Sequence, residues 1–452
     1  MTRLSVALLP GLVVLALALI GALSLPSAAT AARAEPYVAF EGAPAAGPAR
    51  FDRTHAIVFG PRLATQVLIL IPGYPAGAGE FTLVARELVK RVPGLQVWAW
   101  ERRSEAFEDD SVFRQRDPRR ASPYYLQSRR VGGRRFRPVR GADAPFARRW
   151  GLELALEDLR NVVTAARAGG TRRVVLGGRQ LGAEIALAYA SWDFDGARGY
   201  RDLSGLALIN GALLGASPPS SPGTLRGRLR ALRAGDPFAD ILGSGEPWRA
   251  GVTLQTAALY ALAHPNSPSP LQRAGLLAPA LAAPVAVTNE AALGHALDVD
   301  SAAAQLEPLR FAGGALSGSG DPRRWIDSAV TPVERVARLL AGNPVNALEW
   351  YFPERLRIDL DGADRLERSA TTRLLGLRLF HRRRVNVPLY AFQGELAGGS
   401  VLVGARRFFR GSRVPRATFA SDPRAGTLDA LTASPRRNGF LETVEPFLER
   451  LR

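Results

Sequence analysis

The stretch Val174-Val175-Leu176-Gly177-Gly178-Arg179-Gln180-Leu181-Gly182-Ala183-Glu184-Ile185-Ala186 carries the most chemical content in this chain. An apolar run closes on two glycines, and a helical pattern starts just beyond them. Gly178 and Gly182 bracket Gln180 as a tight strand-to-helix turn requires: its central residue takes a strained left-handed conformation, which only neighbours without bulk permit. Such a turn presents its central side chain to a pocket, where a hydroxyl relayed by an imidazole can attack an acyl carbon. Position 180 instead holds a carboxamide. It is neutral and weakly nucleophilic, and a neighbouring base cannot turn it into an acyl carrier.

Other residues that could do chemistry offer no replacement. The four histidines are His55, His264, His295 and His381, and none follows the last predicted strand. Glu108-Asp109-Asp110 and Asp359-Leu360-Asp361 with Asp364 lack the histidines or the glycine that a metal loop needs. Gly313-Gly314 and Gly318-Ser319-Gly320 lack the Lys-Ser/Thr pair of a phosphate loop. No metal and no cofactor is implied. The absence of cysteine excludes disulfides and thiolate chemistry.

The net charge is +18, yet Lys90 is the only lysine, so the excess is carried by arginine in an Ala/Gly/Pro-rich background. A GC-rich coding background alone produces that composition. The densest basic cluster, Arg129-Arg130, Arg134-Arg135, Arg137 and Arg140, lies among glycines and Pro138 in a predicted loop. It lacks the interleaved aromatics of a nucleic-acid platform, so specific nucleic-acid recognition is not expected, whereas adhesion to an anionic envelope surface is.

The elements that must position Gln180 alternate between strand and helix. With 452 residues, 47% hydrophobic and 22% charged, the chain has ample material for a core. After a lead-in over 35–60, Val67 to Ile71 reads as a buried strand, Phe81 to Leu88 as a helix and Gln96 to Trp100 as the next strand. A polar, Arg-rich excursion runs from Arg102 to about Trp150. The apolar residues from Leu152 to Ala166 share one helix face, and Arg173 to Leu176, Ala183 to Trp192 and Leu206 to Ile209 continue the rhythm. Residues 217–384 show helical patterns without a clear strand. Val387 to Phe392, a helix from Ser400, a strand at Arg416 to Ala420 and a terminal helix close the chain. This order predicts an α/β fold: a mostly parallel sheet with helices on both faces, and an inserted helical cap over the carboxyl ends of the strands. The expected organisation is a signal peptide or N-terminal anchor over 1–34, core over 35–216, cap over 217–384 and the last strands and helix over 385–452. Arg3 followed by the apolar run Leu4 to Leu25, with Ala29-Thr30-Ala31 or Ala32-Arg33-Ala34 as cleavage sites, is an export pattern; uncut, it is a single anchor.

With Leu70-Ile71-Pro72-Gly73, Val97-Trp98-Ala99-Trp100-Glu101-Arg102-Arg103, the turn at Gln180, Glu349-Trp350-Tyr351-Phe352-Pro353 and Asn438-Gly439-Phe440-Leu441, the chain resembles secreted, capped members of the α/β-hydrolase superfamily. The resemblance implies a serine at position 180, a histidine at position 427 and an orienting acid at 395 or 210. This chain has Gln180 and Thr427 there, and at the two acid positions it has Glu395, a carboxylate, and Asn210, a neutral amide. The family's oxyanion hole maps to the backbone N–H groups of Leu181 and Tyr74, with Arg179 beside them. The expectation is an exported pseudoenzyme that keeps a pocket for a small acyl, carbonyl or anionic ligand. Two alternatives stand beside it. One is an active esterase or lipase using displaced residues, with Ser191, Ser204, Ser400 and Ser421 in the core. The other is an Arg-rich adhesive protein with a vestigial pocket.

Overall fold

The computed structural model describes residues 35–216, 219–328, 330–342 and 345–451. The expected signal or anchor over 1–34, and the first two residues of the expected cap, lie outside them. Among the described residues no helix is long and apolar enough to cross a membrane.

Eight strands form the central sheet: β1 (Tyr37–Glu41), β2 (Arg53–Phe59), β3 (Gln66–Ile71), β4 (Leu95–Glu101), β5 (Arg173–Arg179), β6 (Gly205–Ile209), β7 (Leu389–Gly394) and β8 (Ala417–Asp422). Their spatial order is β1-β2-β4-β3-β5-β6-β7-β8. β2 runs antiparallel to β1 and β4, and every neighbouring pair from β4 to β8 is parallel. Parallel neighbours need crossovers, and the helices that supply them cover both faces. The alternation of side chains shows this directly. Leu68, Leu70, Val97, Val175, Ile209 and Phe392 pack in one core with helices α1 (Thr82–Arg91) and α5 (Gly439–Glu449). Val67, Ile69, Trp98, Leu176, Leu208 and Ala391 pack in the other with α2 (Leu152–Arg167), α3 (Leu181–Ser191) and α4 (Val401–Arg410).

Two sequence expectations need correction. The lead-in over 35–60 contains β1 and β2; β1 is a half-exposed edge strand, so it lacks the apolar run that marks a central one. The segment between β6 and β7 is mainly helical, but it also holds an antiparallel hairpin, Gly314–Gly320 with Arg323–Asp327. Glycines and serines fill its first strand, leaving hydrophobic periodicity nothing to register. Its one buried anchor is Trp325, whose ring lies over Gly294, where a Cβ would come within 2.6 Å.

The same segment is tied to the carboxyl end of the sheet by buried charge. Arg102, just after β4, pairs with Glu349 at 2.6 Å, both almost fully buried. Asp359 accepts from the backbone N–H of Leu152 at the start of α2, at 2.9 Å. The Arg-rich excursion is also anchored from within. Arg103 reaches Asp158 of α2 at 2.6 Å, and Phe136 packs edge-on against Tyr125 and Trp248. Arg129, Arg130, Arg134, Arg135, Arg137 and Arg140 remain exposed.

Candidate functional site

The turn between β5 and α3 sets the geometry of the site. Gln180 has φ 49° and ψ −119°, the strained conformation its glycine neighbours were expected to allow. A Cβ on Gly182 would lie 2.0 Å from the Ile71 carbonyl oxygen, and one on Gly178 would lie 2.4 Å from the Gly182 backbone. Gly211, which spacing did not single out, is equally required: its Cβ would meet the Gln180 carbonyl oxygen at 2.1 Å. Hydrogen bonds hold the turn on both sides. Gln180 N–H donates to the Ile209 carbonyl at 2.8 Å, and the Gln180 carbonyl accepts from Ala183 N–H at 2.9 Å.

Arg179 turns inward. It is fully buried, with Nε donating to Glu80 Oε2 at 2.7 Å and Nη2 lying 2.6 Å from the same oxygen. Its Nη1 donates to Gln180 Oε1 at 2.9 Å and to the Pro308 carbonyl at 2.8 Å. The charge expected beside the anion site is paired with Glu80 instead. A guanidinium beside an elbow without solvent must find a carboxylate, and Glu80 supplies it. Burial pushes the Glu80 carboxyl up while Arg179 and the Gly73 N–H, 2.9 Å from Oε1, pull it down.

The residue that sequence reasoning missed is Glu307. It belongs to a short helical turn, Ala304–Leu309, within the segment between β6 and β7. Its Oε1 accepts from Thr427 Oγ1 at 2.8 Å, and its Oε2 lies 3.5 Å from Gln180 Nε2. Positions 180 and 427, far apart in the chain, thus meet around one carboxylate. No spacing rule links Glu307 to either, so the sequence carried no signal for it.

Of the residues at the two candidate acid positions, the neutral Asn210 is part of this constellation and Glu395 is not. Asn210 follows β6 with φ 50°, a conformation asparagine tolerates better than most side chains. Its Nδ2 donates to the Thr427 carbonyl at 2.8 Å, and its Oδ1 accepts from Gly394 N–H at 2.7 Å. An aspartate could not satisfy the first of these, because two oxygens would face each other. Glu395 is exposed after β7, and its partner is Gln393 at 3.1 Å.

The histidines are engaged elsewhere. His55 stacks on Tyr37 at 4.7 Å, His264 lies 3.5 Å from an Arg119 nitrogen and His381 Nε2 lies 2.8 Å from Asp193. Burial lowers the pKa of half-buried His295. Ser191 Oγ is buried with no hydrogen-bond partner among the described residues, and Ser400 Oγ donates to the Ala216 carbonyl at 2.7 Å. The backbone N–H groups of Leu181 and Tyr74 have no acceptor among the described residues. The Tyr74 ring packs edge-on against Phe352 at 4.9 Å, and burial pushes its hydroxyl up to about 12. Among the described residues no group of three or more His, Asp or Glu is arranged to hold a metal ion.

No family model and no curated protein sequence matches the chain. Solved structures do match in shape. A protein assigned as a lipase from Sulfolobus solfataricus aligns over 90% of this chain and 92% of its own, with a TM-score of 0.50 and 14% identity. A thermophilic esterase from Thermogutta terrifontis covers 92% of this chain and 99% of its own at 14% identity, with a TM-score of 0.41. A monoglyceride lipase from Saccharomyces cerevisiae covers 92% and 94% at 11% identity, with a TM-score of 0.41. Sheet order, the single antiparallel reversal at β2 and the turn at Gln180 together define the class: the chain has the α/β-hydrolase fold.

Proposed function

We propose that this chain is an exported, catalytically silent protein on a hydrolase scaffold, and that its elbow is a closed seat for a carbonyl or anionic group. The observation that carries this reading is the Glu307 carboxylate, which accepts from Thr427 Oγ1 at 2.8 Å and faces Gln180 Nε2 at 3.5 Å. Acyl transfer needs a hydroxyl whose proton passes to an imidazole. An amide and a threonine joined through an acid hold no such path.

Retained binding is supported by the Leu181 and Tyr74 N–H groups, which lack acceptors among the described residues and sit where the fold stabilises an oxyanion. Glu307 repels an incoming anion, so the segment that carries it acts as a cap that must lift before a ligand enters. Export rests on the apolar run Leu4 to Leu25 after Arg3.

A fluorophosphonate probe tests the reading. The native protein should take up no label, whereas Gln180→Ser combined with Thr427→His should be labelled at position 180 and hydrolyse short esters weakly. Glu307, already bonded at position 427, is placed to orient an imidazole there. Labelling of the native protein at a single serine would overturn the reading and favour displaced catalytic residues.

A further inference from the structure

On the flank of the segment between β6 and β7, four arginines line one cavity, two of them, Arg149 and Arg355, also lining its neighbour beside Asp359. The first cavity measures about 450 Å3, and its lining includes Arg148, Arg149, Arg233 and Arg355 and no carboxylate. These residues come from three separate helical turns, Pro145–Arg149, Pro222–Ala234 and Glu354–Gly362, brought together only by folding.

Two of the four are held in place. Arg148 donates through Nε and Nη2 to the Gly235 carbonyl, at 3.2 and 2.8 Å, and closes the end of helix Pro222–Ala234. Arg355 donates through Nε to Asp359 at 2.7 Å and through Nη2 to the Leu375 carbonyl at 3.4 Å. Among the described residues, the Nη1 of each has no partner. The guanidinium groups of the other two, Arg149 and Arg233, are exposed and make neither a hydrogen bond nor an ion pair among the described residues. Asp359 offsets one charge, which leaves three positive charges around a floor of Leu229, Leu232 and Leu374.

Like charges brought together beside apolar surface repel, and a ligand of opposite charge relieves that repulsion. Fixed guanidinium forks with spare N–H groups match the oxygens of a tetrahedral, doubly charged anion better than those of a single carboxylate. From this we propose that the Arg148–Arg149–Arg233–Arg355 cavity binds a phosphate group, either free or as the phosphomonoester headgroup of a lipid. The proposal does not depend on the elbow or on its catalytic silence.

The test compares the native chain with Arg149→Gln/Arg233→Gln at constant ionic strength, because exposed guanidinium groups are screened by salt. One arm titrates inorganic phosphate by calorimetry; the other measures sedimentation with vesicles containing phosphatidic acid, against vesicles of phosphatidylcholine alone. Neither side chain holds the fold together, so circular dichroism and the melting temperature should be unchanged. The expected result is saturable binding in at least one arm, weakened about tenfold or more by the double variant, a loss of roughly 1.4 kcal/mol or more. The arm that saturates identifies the source of the phosphate. Equal binding by both proteins, or no saturation below about 10 mM in either arm, overturns the proposal.

Discussion

Replacing Arg179 by methionine tests whether that side chain serves a ligand or the fold. The substitution keeps the length of the stem and removes the guanidinium. Glu80 is then left almost fully buried, with the Gly73 N–H at 2.9 Å as its remaining hydrogen-bond donor. The Pro308 carbonyl and Gln180 Oε1 also lose the donor they share. Removing one partner of a buried pair costs about 3–5 kcal/mol, far more than a solvent-facing arginine contributes. The loss should depend on pH. Burial already raises the Glu80 pKa above its ordinary value, and without Arg179 it rises further. A raised carboxyl pKa favours the folded state fully below the unfolded pKa, and that contribution is lost as pH rises from there through the folded pKa. The defect in Arg179→Met should therefore shrink in acid and be full at neutral and alkaline pH. Urea denaturation at pH 5 and pH 8 measures it, and Arg179→Met/Glu80→Gln should recover most of the loss at pH 8. A defect below about 1 kcal/mol, or one of equal size at both pH values, would refute the argument that the pair is structural.

Asn210→Gly keeps the positive φ inexpensive while deleting both side-chain hydrogen bonds, so it isolates their worth. Leaving the Thr427 carbonyl and the Gly394 N–H unsatisfied should cost about 2–4 kcal/mol in the same denaturation assay, and a neutral result would remove Asn210 from the constellation. Glu184, one turn into α3, has its carboxyl pushed up to about 8 by burial first and then by Asp361 and Asp364. The folded state keeps this proton between about pH 4.5 and 8 while the unfolded chain releases it, so stability falls as pH rises across that window, by on the order of 3–5 kcal/mol in total. Glu184→Gln should accordingly raise the melting temperature at pH 9 and leave it nearly unchanged at pH 5; equal shifts at both would show that the group does not titrate as described.

The sheet was legible because its signals are local. Val67 to Ile71, Val174 to Leu176 and Leu206 to Ile209 are buried on both faces, so each reads as a continuous apolar run, and the one-sided pattern from Leu152 to Ala166 marks a helix over the sheet. The turn was legible for the same reason, since Gly178 and Gly182 lie within two residues of the side chain they accommodate. Edge strand β1 and the Gly-rich hairpin were not, because neither buries enough side chain to leave a period.

The sequence by itself determined what stands at the elbow: a carboxamide, glycines that let it adopt its conformation, and no histidine after the last strand. Only tertiary structure decided what surrounds it. Arg179 turned inward to Glu80, 99 residues away, rather than toward a pocket, and Glu307 came down from between two strands to join Thr427, 120 residues away, and face Gln180. Buried charges and polar groups must find partners, and the choice among distant candidates is made by packing, which spacing along a chain does not encode.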